Sequence, residues 1–128
     1  MSRLHYNRLW WLLGVIGLAI ILVFSILPNG GGIVSLNLSD KALHFIAYFF
    51  AAFYFKQISH SLLKVVILLT LYGVFIEGIQ YLSVYRSSEW LDILANISGT
   101  ISGALITKFT MPKLIQNIDQ KIKAKLDY

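Results

Sequence analysis

The 128-residue chain contains no cysteine, and few of its side chains are charged. Without cysteine it has no disulfides, no thiolate metal ligands and no cysteine nucleophile. Charged residues make up 13% of the sequence and hydrophobic residues 57%. A soluble domain of this length could not cover so much apolar surface with so few polar side chains. We therefore expect an integral membrane protein.

Its apolar segments predict four helices. The uncharged run from Leu9 to Leu27 is about as long as the ~20 residues that cross a ~30 Å hydrocarbon core. Three shorter blocks follow: Ala42 to Phe55, Val65 to Ile76 and Ile93 to Thr107. Either they are buried helices of a soluble core, or they extend through their polar boundaries. The composition favours extension, to roughly Asp40–Ile58, Leu62–Tyr81 and Leu91–Met111. The predicted fold is an all-α bundle of four transmembrane helices.

The lysine and arginine residues give this bundle an orientation. If the N-terminus is cytoplasmic, the outer side holds only Lys41 and Arg86. The inner side then holds nine: Arg3, Arg8, Lys56, Lys64, Lys108, Lys113, Lys121, Lys123 and Lys125. Cytoplasmic loops carry such an excess, so we expect both termini on the cytoplasmic side of the membrane. Lys56, Lys64 and Lys108 would reach from the helix ends toward water.

Residues 112–128 differ in character from residues 1–111. After Pro112, apolar residues recur at helical spacing between lysines, which predicts an amphipathic helix on an anionic cytoplasmic leaflet. The net charge of +5 does not indicate a nucleic-acid partner, because the basic residues are distributed by membrane side. Membrane lipids are the expected partners.

Polar residues cluster by helix face at the predicted outer boundary. Residues three and four positions apart share a face, and three faces result: Lys41, His44 and Tyr48; Gly73, Glu77 and Gln80; Asp92, Asn96, Gly99 and Gly103. Gly99 and Gly103 also form a small-xxx-small pattern that lets a second helix approach closely. The three faces can line one outer-side pocket, to which the following loop adds Arg86.

Each of these residues also has a purely structural interpretation. Asp40 and Lys41 could be boundary residues that cap a helix. His44 could make a structural hydrogen bond, and Asn96 could join helices. A carboxylate at the depth of Glu77 must be paired, protonated or hydrated, so a structural ion pair is its alternative to a functional role.

Comparison with known kinds of catalytic and binding site narrows the possible functions of these residues. The outer side offers one histidine and no HExxH-like pair, so no metal site and no cofactor are expected. No motif supports a serine nucleophile at Ser87 or Ser88. Phosphate recognition fits better, because Lys41, Arg86 and a helix N-terminus could together hold a lipid phosphate.

The order of these residues resembles the VanZ-like family of small bacterial membrane proteins. The resemblance rests on Asp40-Lys41-x-x-His44-Phe45-x-x-Tyr48, Glu77-x-x-Gln80, Arg86, Asp92, Asn96, Gly99 and Gly103. The family commonly has an acidic residue soon after the arginine, a place that only Glu89 could take here. Its namesake is associated with low-level resistance to the glycopeptide teicoplanin. The resemblance implies a protein that acts at the cell envelope.

Three functions remain open at this point. The first is non-enzymatic binding of a lipid phosphate or a glycopeptide lipid tail by the outer pocket. The second is an enzyme acting on a lipid-linked cell-wall precursor, with Glu77 or His44 as general acid or base. The third is a small proton-coupled exporter that uses Glu77. Such exporters can insert in both orientations, and the strong lysine bias disfavours this function.

The orientation can be tested by single-cysteine labelling, because the natural chain has no cysteine. On intact cells, a membrane-impermeant thiol reagent should label Ser87→Cys and leave Ser59→Cys unlabelled. Both variants should react after the membrane is permeabilised, which controls for folding and expression. Labelling of Ser59→Cys alone on intact cells would invert the predicted topology.

Overall fold

The computed structural model describes residues 4–26, 40–59, 61–82 and 90–127. Within these ranges the chain forms five α-helices and no strand: α1 Asn7–Ile26, α2 Asp40–Ile58, α3 Leu62–Leu82, α4 Trp90–Thr110 and α5 Leu114–Leu126. The all-α class is thus confirmed. The first four helices begin and end within three residues of the predicted spans, and α5 begins two residues after Pro112.

Two of the described helices, α1 and α3, are long and apolar enough to cross a membrane. Gly14 is the one fully buried residue of α1, and more than half of its residues are exposed. α2 and α4 are of similar length but carry more polar residues. Length and composition therefore support two of the four predicted spans.

The most extensive contact in the bundle joins α2 and α4. A Cβ atom added to Gly99 would lie 2.3 Å from the carbonyl oxygen of Phe45, and one added to Gly103 would lie 2.2 Å from that of Phe49. Real Cβ atoms do not approach an oxygen so closely. The two helices therefore meet backbone to backbone, and glycine is required at both positions.

The same alignment continues one turn further along α4. The hydroxyl of Thr107 donates to the carbonyl oxygens of Gly103, at 2.9 Å, and of Phe53, at 3.3 Å. Residues 99, 103 and 107 thus each face a carbonyl of α2, at positions 45, 49 and 53. Since both series rise together, α2 and α4 run parallel.

α1 is attached to the bundle by polar side chains. Three of them donate hydrogen bonds to its backbone carbonyls: Tyr54 to Trp10 at 2.6 Å, Tyr72 to Leu18, and Gln80 to Ser25 at 2.8 Å. The Ser25 carbonyl lies in the last turn of α1, where intrahelical donors are lacking. These three bonds fix the position of α1 along the other helices.

The bundle has an apolar outer surface, and its interior contains polar as well as apolar side chains. Its fully buried side chains include Gln80, Asn96, Thr100 and Thr107. Its most exposed side chains include Phe50 on α2, Leu63 on α3 and Phe109 on α4. Soluble domains rarely expose apolar surface on this scale, whereas lipid tails accept it.

The three helix-end lysines that were expected to reach toward water do so only in part. Lys64 and Lys108 are exposed, and the Lys108 ammonium lies 5.6 Å from the centre of the Phe109 ring. Lys56 differs, because only 8% of its surface is exposed. It lies at the end of α2 where the α4–α5 turn packs, next to Gln57, whose amide donates to the Met111 carbonyl at 2.6 Å.

α5 is docked on the bundle by a buried aspartate. Asp119 is 1% exposed, and its carboxylate accepts hydrogen bonds from the backbone N–H groups of His5, at 2.6 Å, and Tyr6, at 3.0 Å. It also accepts one from the Trp10 indole, at 2.9 Å. Burial alone would raise the pKa of Asp119, but these hydrogen bonds outweigh it and hold the pKa below its usual value. α5 therefore has a structural role in the bundle, since its aspartate caps the start of α1.

The close contact of α2 and α4 predicts that alanine substitutions at different glycines have very different effects on stability. Gly103→Ala should lower the free energy of unfolding of the purified protein by about 1–3 kcal/mol, because the new methyl group forces the backbones of α2 and α4 apart. The matched control is Gly78→Ala, since a Cβ atom at Gly78 meets nothing within 4 Å. It should be neutral or stabilising, because alanine favours the helix. Equal effects of the two substitutions would contradict the packing described here.

The Asp119 contacts predict that amide hydrogens at the start of α1 exchange faster when the negative charge of Asp119 is removed. In Asp119→Asn at pH 7, the amide hydrogens of His5 and Tyr6 should exchange with deuterium about tenfold faster, because hydrogen bonds to charged groups contribute about 1.5–3 kcal/mol. Because the folded-state pKa is lowered, the carboxylate stabilises the wild type fully above pH 3.8, its ordinary value. This stabilisation is lost as the pH falls through the lower folded-state pKa. Asp127→Asn, an exposed carboxylate, should leave exchange unchanged.

Candidate functional site

Polar side chains from three helices meet at one end of the bundle. The N-terminal turns of α2 and α4 and the C-terminal turns of α3 lie together there, because α3 runs opposite to the other two. The side chains that meet are Lys41, His44 and Tyr48 of α2, Glu77 and Gln80 of α3, and Asp92 and Asn96 of α4. We call these seven residues the polar cluster.

His44 and Asn96 form the central contact of the cluster. Nδ1 of His44 lies 2.9 Å from Oδ1 of Asn96. An amide oxygen only accepts hydrogen bonds, so Nδ1 of His44 is the donor and carries a proton. Asn96 is 1% exposed, and this bond orients the imidazole ring from the side opposite Nε2.

Gly73 of α3 makes room for Asn96. A Cβ atom added there would lie 2.9 Å from Nδ2 of Asn96. The asparagine side chain thus occupies the space between α2 and α3 while its helix lies against both. Asn96 therefore joins helices, as its structural interpretation predicts. Its hydrogen bond to His44 also sets the orientation of the imidazole ring.

Asp92 lies between His44 and Lys41. Oδ2 of Asp92 is 3.9 Å from Nε2 of His44, and Oδ1 is 3.9 Å from Nζ of Lys41. Both separations exceed a direct hydrogen bond, so these interactions are electrostatic. The Asp92 side chain is buried, whereas that of Lys41 is 42% exposed. The cluster therefore reaches the surface through Lys41.

Glu77 places a second buried carboxylate close to the first. It is 3% exposed, and ligand atoms of His44, Glu77 and Asp92 all lie within 4.8 Å of one another. Two carboxylates at such a distance disfavour each other's charged form unless positive charge lies between or beside them. The arrangement is thus suited to a cation, to a shared proton, or to proton transfer through His44.

Tyr48 and Gln80 flank the cluster on α2 and α3. Both are buried, and Tyr48 is near enough to Glu77 to interact with it electrostatically. The Tyr48 hydroxyl and Oε1 of Gln80 make no hydrogen bond to any residue that the structure describes. Such atoms are unusual in a buried position and mark a place where a ligand or water can bind.

Two exposed aromatic residues stand apart from the cluster, and several predicted site residues cannot be placed. Tyr81 and Trp90 are exposed at this end of the bundle, where an aromatic belt is expected. Arg86, Ser87 and Glu89 lie outside the described residues, as does the side chain of Asp40. The predicted contribution of Arg86 to the pocket therefore remains a prediction.

Sequence reasoning missed several residues that hold the site in place. Tyr54 and Tyr72 attach α1, and Asp119 attaches α5. A signal for the tyrosines was present, since a hydroxyl in the middle of an apolar span requires an acceptor. Asp119 had no such signal, because a single aspartate among lysines is usual in a solvated helix.

Comparison with known proteins covers most of this chain. The model of the family described as VanZ/LLP1 matches residues 15–111. That segment begins within α1, ends after α4 and contains the whole polar cluster, while α5 lies beyond it. No curated protein and no solved structure matches the chain.

Proposed function

The chain belongs to the VanZ/LLP1 family, and we propose that it binds the phosphate head group of an envelope lipid through the polar cluster. In this proposal all four long helices cross the bacterial cytoplasmic membrane. Both termini face the cytoplasm, and the cluster lies at the outer boundary.

The apolar outer surface supports four spans. Phe50 of α2 is 63% exposed and Phe109 of α4 is 75% exposed, although neither helix is as apolar as α1 or α3. The polar residues of α2 and α4 lower their average hydropathy, and these are largely the residues that face inward. A lipid-facing surface with a polar interior is the arrangement that membrane bundles adopt.

The observation that carries the binding proposal is the burial of two carboxylates with a lysine and a histidine at one end of an apolar bundle. Removing such charges from water is costly, and an apolar replacement of similar volume often makes a protein more stable. Stability therefore does not account for the cluster. Ionisable residues within membrane spans typically belong to binding or transport sites.

The chemistry at the surface end of the cluster suits a phosphate. Lys41 is partly exposed and reaches toward Asp92, so its ammonium can contact a head group while its stem stays among the helices. The N-terminal turn of α2 adds the positive end of its helix dipole at the same position. In this proposal Arg86, from the loop that precedes α4, supplies a second cation.

An enzymatic function is the second candidate, and the orientation of His44 favours it. Asn96 accepts from Nδ1, which turns Nε2 toward Asp92. A histidine held in this way by an acceptor on one nitrogen is placed for acid–base chemistry on the other. The substrate would then be a lipid-linked cell-wall precursor, and its head group would be altered on binding.

Lipid binding is tested with a polyprenyl phosphate, and the corresponding polyprenol serves as the uncharged probe. Purified protein in detergent should bind the phosphate at least about tenfold more tightly, because charge-assisted hydrogen bonds contribute about 1.5–3 kcal/mol. Lys41→Gln should remove most of this preference. The matched control is Lys64→Gln, an exposed lysine at the other end of the bundle, which should retain it.

The same incubations separate the alternatives. Mass spectrometry of the recovered lipid reveals any change to the head group, which would establish the enzymatic function. Tight binding of teicoplanin without binding of the lipid phosphate would move the function toward glycopeptide recognition. Equal affinity for the phosphate and the alcohol would refute the head-group proposal.

A further inference from the structure

Three side chains of the polar cluster have the chemistry of metal ligands. His44, Glu77 and Asp92 come from α2, α3 and α4, and all three are largely withdrawn from solvent. Their ligand atoms lie within 4.8 Å of one another. No two of them share a helix, so the grouping arises only when the bundle forms. The sequence gives no metal motif for this reason.

The hydrogen bond to Asn96 prepares His44 for coordination. Because Nδ1 carries the proton and donates it to Asn96, a neutral imidazole presents the lone pair of Nε2 toward Asp92. A lone pair facing a carboxylate at 3.9 Å is repulsive, and either a proton on Nε2 or a cation between the two groups removes this repulsion. Metal-bound histidines commonly donate their second nitrogen to an oxygen acceptor in this manner.

The separations allow one ion to contact all three groups. Nitrogen and oxygen ligands lie about 2.1 Å from zinc, so two of them on one ion are about 3.0–4.2 Å apart. Nε2 of His44 and Oδ2 of Asp92, at 3.9 Å, fall in this range. The upper limit of the three separations, 4.8 Å, lies above this range, so the side chains would have to close slightly around a bound ion.

A bound cation would also reduce the repulsion between the two buried carboxylates of the cluster. Glu77 and Asp92 place two carboxylates in a region shielded from water, where their repulsion is strong. A divalent ion between them offsets both charges at once. Nearby, the buried Tyr48 hydroxyl makes no hydrogen bond to the described residues and can accept one from a water on the ion.

We propose that His44, Glu77 and Asp92 form a binding site for one divalent transition-metal ion, with Asn96 as a positioning residue. One imidazole and two carboxylates suit Zn²⁺ or Mn²⁺ better than Mg²⁺ or Ca²⁺, which prefer oxygen ligands alone. Three protein ligands leave coordination positions open, as in metal sites that bind an exchangeable molecule. This site goes beyond the proposed lipid binding and does not depend on it.

Calorimetric titration with Zn²⁺, and separately with Mn²⁺, tests the site in the full-length protein. The protein is purified in detergent, freed of any affinity tag and treated with a chelator. We expect saturation at one ion per chain, a higher thermal midpoint with the ion bound, and weaker binding of Mg²⁺. Titration with Co²⁺ should give visible absorption bands of nitrogen and oxygen coordination. Absence of a stoichiometric site for every ion tested would overturn the proposal without any variant.

Isosteric variants then assign the ligands. Glu77→Gln and Asp92→Asn should each lower the affinity by more than about tenfold, and Asn96→Ala by about 10- to 100-fold. Circular dichroism and gel filtration verify that each variant is folded. Asp127→Asn, an exposed carboxylate at the opposite end, should bind like the wild type. Unchanged affinity in both carboxylate variants would place the ion elsewhere and refute the assignment.

Metal and lipid binding are measured separately so that the two proposals can fail independently. The titrations contain no lipid, and the polyprenyl phosphate experiment is repeated with EDTA. Metal binding without a preference for the lipid phosphate would leave the site intact and refute the head-group proposal. If the protein binds no metal and still prefers the lipid phosphate in the presence of EDTA, the head-group proposal stands and the metal site is refuted.

Discussion

The architecture depends on the direct backbone contact between α2 and α4. Glycine at 99 and 103 removes the side chains that would hold these helices apart. Close parallel packing then aligns the polar turns of both helices at one end. His44 and Asn96 can form a 2.9 Å hydrogen bond because their helices are so near. α3 completes the cluster from outside this pair, with Gly73 against Asn96.

The bundle exposes much apolar surface and buries polar side chains beside a small apolar core, and this affects how its helices are held. Apolar burial contributes little to helix association in lipid, because lipid tails are as apolar as the side chains they replace. Close backbone contact and interhelical hydrogen bonds take over that role. Tyr54, Tyr72 and Gln80 bind carbonyls of α1 in this way, and Thr107 binds one of α2.

Much of this could be predicted from the sequence. The spacing of charges and apolar runs located the helices, and the four-residue spacing of Gly99 and Gly103 identified the contact face of α4. Helical periodicity also placed His44, Glu77 and Asp92 at one end. It could not give their mutual distances, because these depend on how three separate helices pack. The role of Asp119 was hidden for the same reason, since its partners lie 113 and 114 residues away in the chain.

That separation also bears on the order in which the protein can assemble during synthesis. α1 is made first, yet the backbone N–H groups at its start receive their carboxylate only when residue 119 has been made. Every other described attachment of α1 comes from α2 or α3 and forms earlier. The Asp119 contacts therefore form after the other described attachments of α1, and a chain that stops after α4 lacks this cap on α1.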